Sequence, residues 1–152
     1  MMGKMNYIEQ MDEWKASFGD VHYETRVRFC ETDMFGHLNN TVPFIYFETA
    51  RIRFFQQLGF MSDWANPLNE AMPVVADLQC DFIRQVFFDE TLKVHVKVHK
   101  LGNSSVDLHY MVTNREKELC LTGRGTMVQL SKKTGKTILW TEEMKQRLLS
   151  VQ

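Results

Sequence analysis

The hydrophobic pattern along the chain switches between a helical and a strand period, and the switches mark out its elements. Tyr7, Met11, Trp14 and Phe18 recur at spacings of four, three and four. That places them on one face of a short amphipathic helix, with Gly19 as its stop. The stripe has to be buried, either capping an open edge or end of its own fold or docking on a partner subunit. From Tyr23 to Phe29 the period drops to two. Tyr23, Thr25, Val27 and Phe29 alternate with Glu24, Arg26 and Arg28, as in a half-buried strand. A polar break over residues 31–40 leads into the strongest helical pattern, about residues 41–58. Phe44, Phe47, Arg51, Phe54 and Leu58 form one stripe, and Ile45, Ala50, Ile52 and Phe55 fill most of the remaining faces. A helix apolar nearly all round is a buried helix. Asn40 or Thr41 stands where a cap is needed, Pro43 is tolerated in the first turn, and Gly59 supplies the stop.

Residues 60–72 read as irregular, with Asn66-Pro67 marking a turn. Strand patterns follow near 73–85, 90–100, 104–114 and 118–131. The second is the clearest, with Leu92, Val94, Val96 and Val98 alternating with Lys93, His95, Lys97 and His99. Turn-like Gly102-Asn103 and Asn114 to Lys117 make these strands antiparallel neighbours. A final short helix is predicted from Thr141, as cap, to about Leu149, with Glu143 and Arg147 paired at i, i+4. The order fits an α+β fold in which one sheet wraps one apolar helix. A helix of about 17 residues is roughly 25 Å long at 1.5 Å per residue. Five strands at about 4.8 Å spacing match that length.

The 152 residues suit one domain, with no internal repeat and only three prolines, at 43, 67 and 73. Residues 1–20 read as a helical extension and 21–152 as the domain proper. Eighteen Lys and Arg balance nineteen Asp and Glu, for a net charge of −1. That excludes a general nucleic-acid binder, which needs a basic surface. Cys30, Cys80 and Cys120 are odd in number and widely spaced, so buried free thiols in a reducing compartment are expected rather than disulfides or a zinc site. No apolar run approaches the ~20 residues of a membrane helix. Glu9, Asp12 and Glu13 stand where a signal peptide would be apolar. A soluble cytoplasmic protein is the expectation, with no metal and no cofactor.

The candidate chemistry lies in Asp33-Met34-Phe35-Gly36-His37-Leu38-Asn39-Asn40, between a strand and the start of the buried helix. A helix N-terminus presents unpaired N–H groups and a partial positive charge, suited to a developing oxyanion. Gly36 permits a tight turn and close approach of a ligand. Asp33 and His37 are the ionisable side chains nearest that helix end, and either suits a base or nucleophile. The same residues also satisfy ordinary turn and cap chemistry, so spacing alone leaves both readings open. No serine-hydrolase elbow, phosphate loop, metalloprotease helix or dinucleotide fingerprint competes. His95 and His99 share a strand face with Lys93 and Lys97, expected to be solvated. Their spacing suits a metal, but the sequence offers no third ligand.

The run VRFCETDMFGHLNNTVPFIYFETARIRFF, residues 27–55, resembles the signature of the hot-dog-fold acyl-CoA thioesterases of the 4-hydroxybenzoyl-CoA thioesterase branch. LTGRGTMVQLSKKTGK resembles that family's last core strand and turn. The order of elements agrees from about 21 to 131, leaving the N-terminal helix outside. The resemblance implies a curved antiparallel sheet around one long helix. It also implies a homodimer at least, joined sheet edge to sheet edge with sites at the subunit interface, and in many members a homotetramer. It makes Asp33 the nucleophile or general base and Asn40 the residue whose backbone N–H holds the thioester oxygen. Gly36 becomes the turn glycine, and His37 and Asn39 belong to the GHxNN form, the imidazole orienting carbonyl or water. Glu48 and Arg51 match a Glu-x-x-Arg pattern read as a structural pair behind the site. Pro43 departs from the family, standing where many members carry a tyrosine, so the aromatic contact made there is missing.

The expected reaction is hydrolysis of acyl-CoA to acid and CoA. Arg84, Lys93, Lys97, Lys132 and Lys133 are the candidate cations for the CoA phosphates. Two rivals stand beside this reading. A hot-dog dehydratase or hydratase pairs a histidine with an acid to move protons beside a carbonyl. A non-catalytic acyl-group binder keeps the fold without turnover.

Overall fold

The computed structural model describes residues 5–151. Five strands, β1 (His22–Arg26), β2 (Ala71–Phe82), β3 (Thr91–Leu101), β4 (Ser105–Thr113) and β5 (Leu119–Ser131), form one sheet in the order β1-β3-β4-β5-β2. Every neighbouring pair is antiparallel. Register shifts at Val75/Asp77, Val98/Lys100 and Val112/Thr113 mark bulges, which strengthen twist and help the sheet curl. In the hollow of the sheet lies α2 (Val42–Gln57), the predicted helix to within a residue at each end.

The pattern of α2 explains its seat. Val42, Pro43, Tyr46, Phe47, Ala50, Arg51, Phe54 and Phe55 are buried. Phe47 stacks on Tyr110 of β4 at 4.5 Å between ring centres. Contact is tightest at Gly123 of β5, where a Cβ would overlap the Phe47 ring. The helix is not enclosed all round, because Ile45 and Ile52 are exposed. Glu48 and Arg51 do not pair. Arg51 is buried and donates from Nη1 to the Tyr110 hydroxyl at 3.2 Å, while Glu48 lies exposed on another face.

Two readings of the sequence are corrected. Residues 60–72 are not wholly irregular, since α3 (Phe60–Ala65) follows Gly59, which has φ 80°. Phe60 and Trp64, four apart, pack beside Phe55, and the Trp64 indole donates to Gln129 at 3.0 Å. Six residues are too few for periodicity to declare a helix. The second correction concerns the N-terminal segment. Only Met11–Ala16 is helical (α1), and it covers a face of the sheet rather than an edge or end. Leu108, Tyr110 and Val112 belong to the core around α2, and the alternate residues His109 and Met111 face the N-terminal segment. There Trp14 clusters with Met5, Ile8 and Met111.

The strand face expected to be solvated is therefore partly roofed. Lys97 is buried, its ammonium above the rings of Trp14 and Phe18 and bonded to the Ser17 hydroxyl. His95 is half-buried, whereas Lys93 and His99 remain exposed. The last helix, α4 (Glu142–Leu149), begins at Thr141, whose hydroxyl accepts from the Met144 N–H at 3.2 Å. The predicted Glu143–Arg147 pair forms at 3.1 Å.

Candidate active site

The loop between β1 and α2 is fixed at both ends by main-chain bonds. Leu38 N–H donates to Val86 at 2.7 Å and Asn39 N–H to Glu31 at 2.8 Å. The Glu31 side chain holds the near end from below. It accepts from the Arg28 N–H at 2.8 Å and from the buried Tyr46 hydroxyl at 3.0 Å. Burial pushes the Glu31 carboxyl up, but these bonds and the Arg28 guanidinium outweigh it and hold the group below its ordinary value. No local pattern signals this clamp, because Glu31 reads as one more polar loop residue.

Within the loop, Asp33 N–H donates to the His37 carbonyl at 2.8 Å, and Gly36 turns the chain at φ 81°. The Asp33 carboxylate is divided between two tasks. Its Oδ1 accepts from the N–H groups of Phe35 at 2.9 Å and His37 at 3.1 Å. Its Oδ2 takes no part in these bonds, and the residue is exposed. Thr41 stands at the N-cap position of α2, but no side chain among the described residues caps the helix; Asn39 accepts at Oδ1 from the Thr41 N–H at 3.0 Å, in a turn just before it. The backbone N–H of Asn40 has no partner among the described residues.

Asp33, His37, Asn39 and Asn40 line one wall of a cleft of about 460 Å3. The opposite wall is largely apolar, built from Phe82 at the end of β2, Ile83 and Val86 after it and Leu121 of β5, with Arg84 and Gln85 among them. The His37 ring meets the edge of Phe87 at 5.1 Å. Thus an exposed carboxylate, a histidine and a free main-chain donor at a helix start share one cleft. That combination suits attack on a carbonyl with stabilisation of the resulting oxyanion.

The family model of the thioesterase-like superfamily matches residues 27–148. The chain belongs to the thioesterase-like superfamily. The uncharacterized protein YsmA of Bacillus subtilis (strain 168) is 49% identical over 144 residues, covering 94% of this chain and 95% of its own. Among solved structures, a DHNA-CoA thioesterase from Staphylococcus aureus superposes with a TM-score of 0.75 at 25% identity, covering 86% of this chain and 89% of that one. A thioesterase from Thermus thermophilus, complexed with coenzyme A and Zn, gives 0.71 at 29%, covering 86% and 93%. The fold is that of the hot-dog thioesterases.

The five candidate phosphate ligands do not gather around the cleft of this superfamily member. Arg84 lines it and pairs with Glu118 at 3.3 Å. Lys93 lies on the exposed face of β3, and Lys97 is buried beneath α1. Lys132 and Lys133 follow the far end of β5, where Lys132 donates to the Trp64 carbonyl at 3.0 Å. The histidines do find additional neighbours, for His99 stacks on His109 at 3.9 Å and Asp107 lies beside them. This cluster suits a cation poorly. His109 Nδ1 accepts from the Trp14 indole at 2.9 Å, so a neutral ring carries its proton on Nε2, the atom nearest Asp107. Arg124 already pairs with Asp107 at 2.7 Å.

Proposed function

We propose that this protein hydrolyses acyl-CoA thioesters to a free carboxylic acid and CoA, with Asp33 at the reacting centre. The observation that carries the proposal is the division of the Asp33 carboxylate. Two main-chain N–H groups fix Oδ1, and Oδ2 is left for the substrate in a cleft that begins at the start of α2. Oδ2 attacks the thioester carbonyl and expels the CoA thiolate, leaving an aspartyl anhydride that water then hydrolyses to the acid, or it takes the proton of a water that attacks the carbonyl directly. The Asn40 N–H, reinforced by the positive end of α2, receives the oxyanion. His37, in the same wall, orients the carbonyl or the water. The CoA thiolate is a good leaving group, so a strong general acid is not required. The apolar wall of Leu38, Phe82, Ile83, Val86 and Leu121 suits the acyl group.

The reading extends to assembly as a homodimer joined along β2. This edge strand has twelve residues and pairs on one side only. Its Val75, Leu78 and Phe82 are exposed, as are Ile45 and Ile52 of α2. A long edge flanked by apolar side chains is a surface that proteins seldom leave bare.

Thiol release over a panel of acyl-CoAs tests the reaction. The wild-type protein is expected to turn over at least one member. Asp33→Asn and Asp33→Ala are expected to fold and lose activity by roughly 100-fold or more. Full activity in a folded Asp33→Ala protein removes the assignment. Water addition to an enoyl-CoA without thiol release replaces it with a hydratase, and tight acyl-CoA binding without turnover replaces it with a binding module.

A further inference from the structure

A second cavity, of about 470 Å3, lies where α1 meets the outer face of the sheet, at the end of the sheet that carries the candidate active site. Lys15 of α1, Lys93 of β3, and Arg115 and Lys117 of the β4–β5 turn line it, against the single carboxylate of Glu24. None of Lys93, Arg115 and Lys117 has an ion-pair partner among the described residues, and Lys15 has only the distant Asp12 at 4.0 Å. Four cations facing one anion, largely unpaired, make a site for a multiply charged anion.

The cations are held by rigid parts. Asn114, itself buried, pins the β4–β5 turn. Its Oδ1 accepts from the Glu118 N–H and its Nδ2 donates to the Glu118 carboxylate, both at 2.9 Å. Lys117 is held in the left-handed region at φ 62°, a conformation that costs energy for a residue with a Cβ. Lys15 is held by the docking of its neighbour Trp14 on His109. A polar atom without a partner lies in its wall. His95 lines it, and its Nδ1 is buried with no hydrogen-bond partner among the described residues.

The two cavities are adjacent. Arg84 of the first pairs with Glu118, and Glu118 accepts from Asn114, which lines the second. In the sheet, Leu121 of the first cavity is opposite Val112, which is opposite Val94 beside Lys93. That offset along the sheet is two strand spacings, about 10 Å, and Lys93 is on the face opposite Leu121, so a pantetheine arm joins the cavities by passing round the sheet end at the β4–β5 turn.

We propose that this cavity binds the nucleotide end of a CoA thioester, its 3′-phosphate and 5′-diphosphate meeting Lys15, Lys93, Arg115 and Lys117. The inference rests on the acyl-CoA reading and specifies how the carrier is recognised. It gives the N-terminal segment a task, since α1 supplies one wall and one cation. It also makes the protein selective for CoA over carriers whose pantetheine lacks a nucleotide.

Two measurements test it on the full chain, using wild type and a Lys93→Glu/Arg115→Glu variant whose fold is checked by circular dichroism. The first is calorimetric titration with adenosine 3′,5′-bisphosphate and with CoA. Wild type is expected to bind both, more weakly as salt rises, and the variant at least tenfold more weakly. Equal binding by the two proteins, or no binding of the bisphosphate by wild type, overturns the proposal. The second compares acyl-CoA with the matching acyl-pantetheine. The variant is expected to raise KM at least tenfold for acyl-CoA with kcat unchanged, and to leave acyl-pantetheine hydrolysis as in wild type. An equal loss on both substrates overturns the proposal. If wild type hydrolyses neither thioester, the proposed reaction fails, and the titration still decides the cavity.

Discussion

The indole N–H of Trp14 donates to Nδ1 of His109 at 2.9 Å, with His109 fully buried between α1 and β4. With the Tyr7 and Ser17 contacts to Asp81, Thr122 and Lys97, this bond joins the N-terminal segment to the sheet, and it fixes the histidine tautomer. Replacing Trp14 by Phe keeps most of the apolar contact with Met5, Ile8 and Met111 but strands a buried acceptor. Such a loss costs about 1–3 kcal/mol. A lower denaturant midpoint in Trp14→Phe is expected, and an unchanged midpoint would show that the bond contributes nothing.

The same histidine makes stability depend on pH. Burial holds His109 below its ordinary pKa despite the opposing pull of Asp107, and burial does the same to His95. In the unfolded chain both titrate near about 6.5. As pH falls through that value, the unfolded state takes up protons that the native state refuses, so native stability declines. The slope is at most about 1.4 kcal/mol per pH unit for each histidine. Glu31 and Asp107 are held below their ordinary values, so what they contribute is lost only at more acid pH. Unfolding by urea between about pH 7.5 and 5.5 should show the decline, and His109→Gln should flatten it. A wild-type stability constant across that range would contradict this account.

How much of this is legible in the sequence depends on how local each feature is. The loop from Asp33 to Asn40 is contiguous, so its turn and ionisable groups can be read together, whereas the side-chain cap expected from Asn40 or Thr41 does not form. The facing wall cannot, because Phe82 to Val86 and Leu121 meet only through the pairing of β2 with β5. The long periodic elements are placed to within about two residues at most ends, while α3 is too short to declare itself. The polar face of β3 misleads for a different reason. Its alternation truly places His95 and Lys97 on the face away from α2, but periodicity along one strand cannot reveal a roof supplied by residues some eighty positions earlier, as the Ser17–Lys97 contact is.

Thiol reactivity separates the three cysteines. Burial pushes Cys80 up to about 12 and Cys120 up to about 11, whereas Cys30 is exposed. The thiolate is the reactive form. At mildly alkaline pH, iodoacetamide should modify Cys30 quickly in the native protein and the other two only on unfolding. Peptide mapping by mass spectrometry reads the order, and early labelling of Cys120 would mean that the sheet around it opens readily.

Gly36 tests whether the turn exists for its conformation or merely for its size. A Cβ there meets nothing within 4 Å, so the space is open, and the constraint is the positive φ of 81°. Alanine in the left-handed region costs about 1–2 kcal/mol, while asparagine tolerates that region better. The strain falls on the turn whose Phe35 and His37 N–H groups hold Asp33 Oδ1. Gly36→Ala is therefore expected to lower kcat for thioester hydrolysis more than it lowers the denaturant midpoint, with Gly36→Asn recovering much of both. If Gly36→Ala and Gly36→Asn lose activity equally, loss of closeness to the substrate is the better explanation. If neither loses any, the turn does not set the position of the carboxylate.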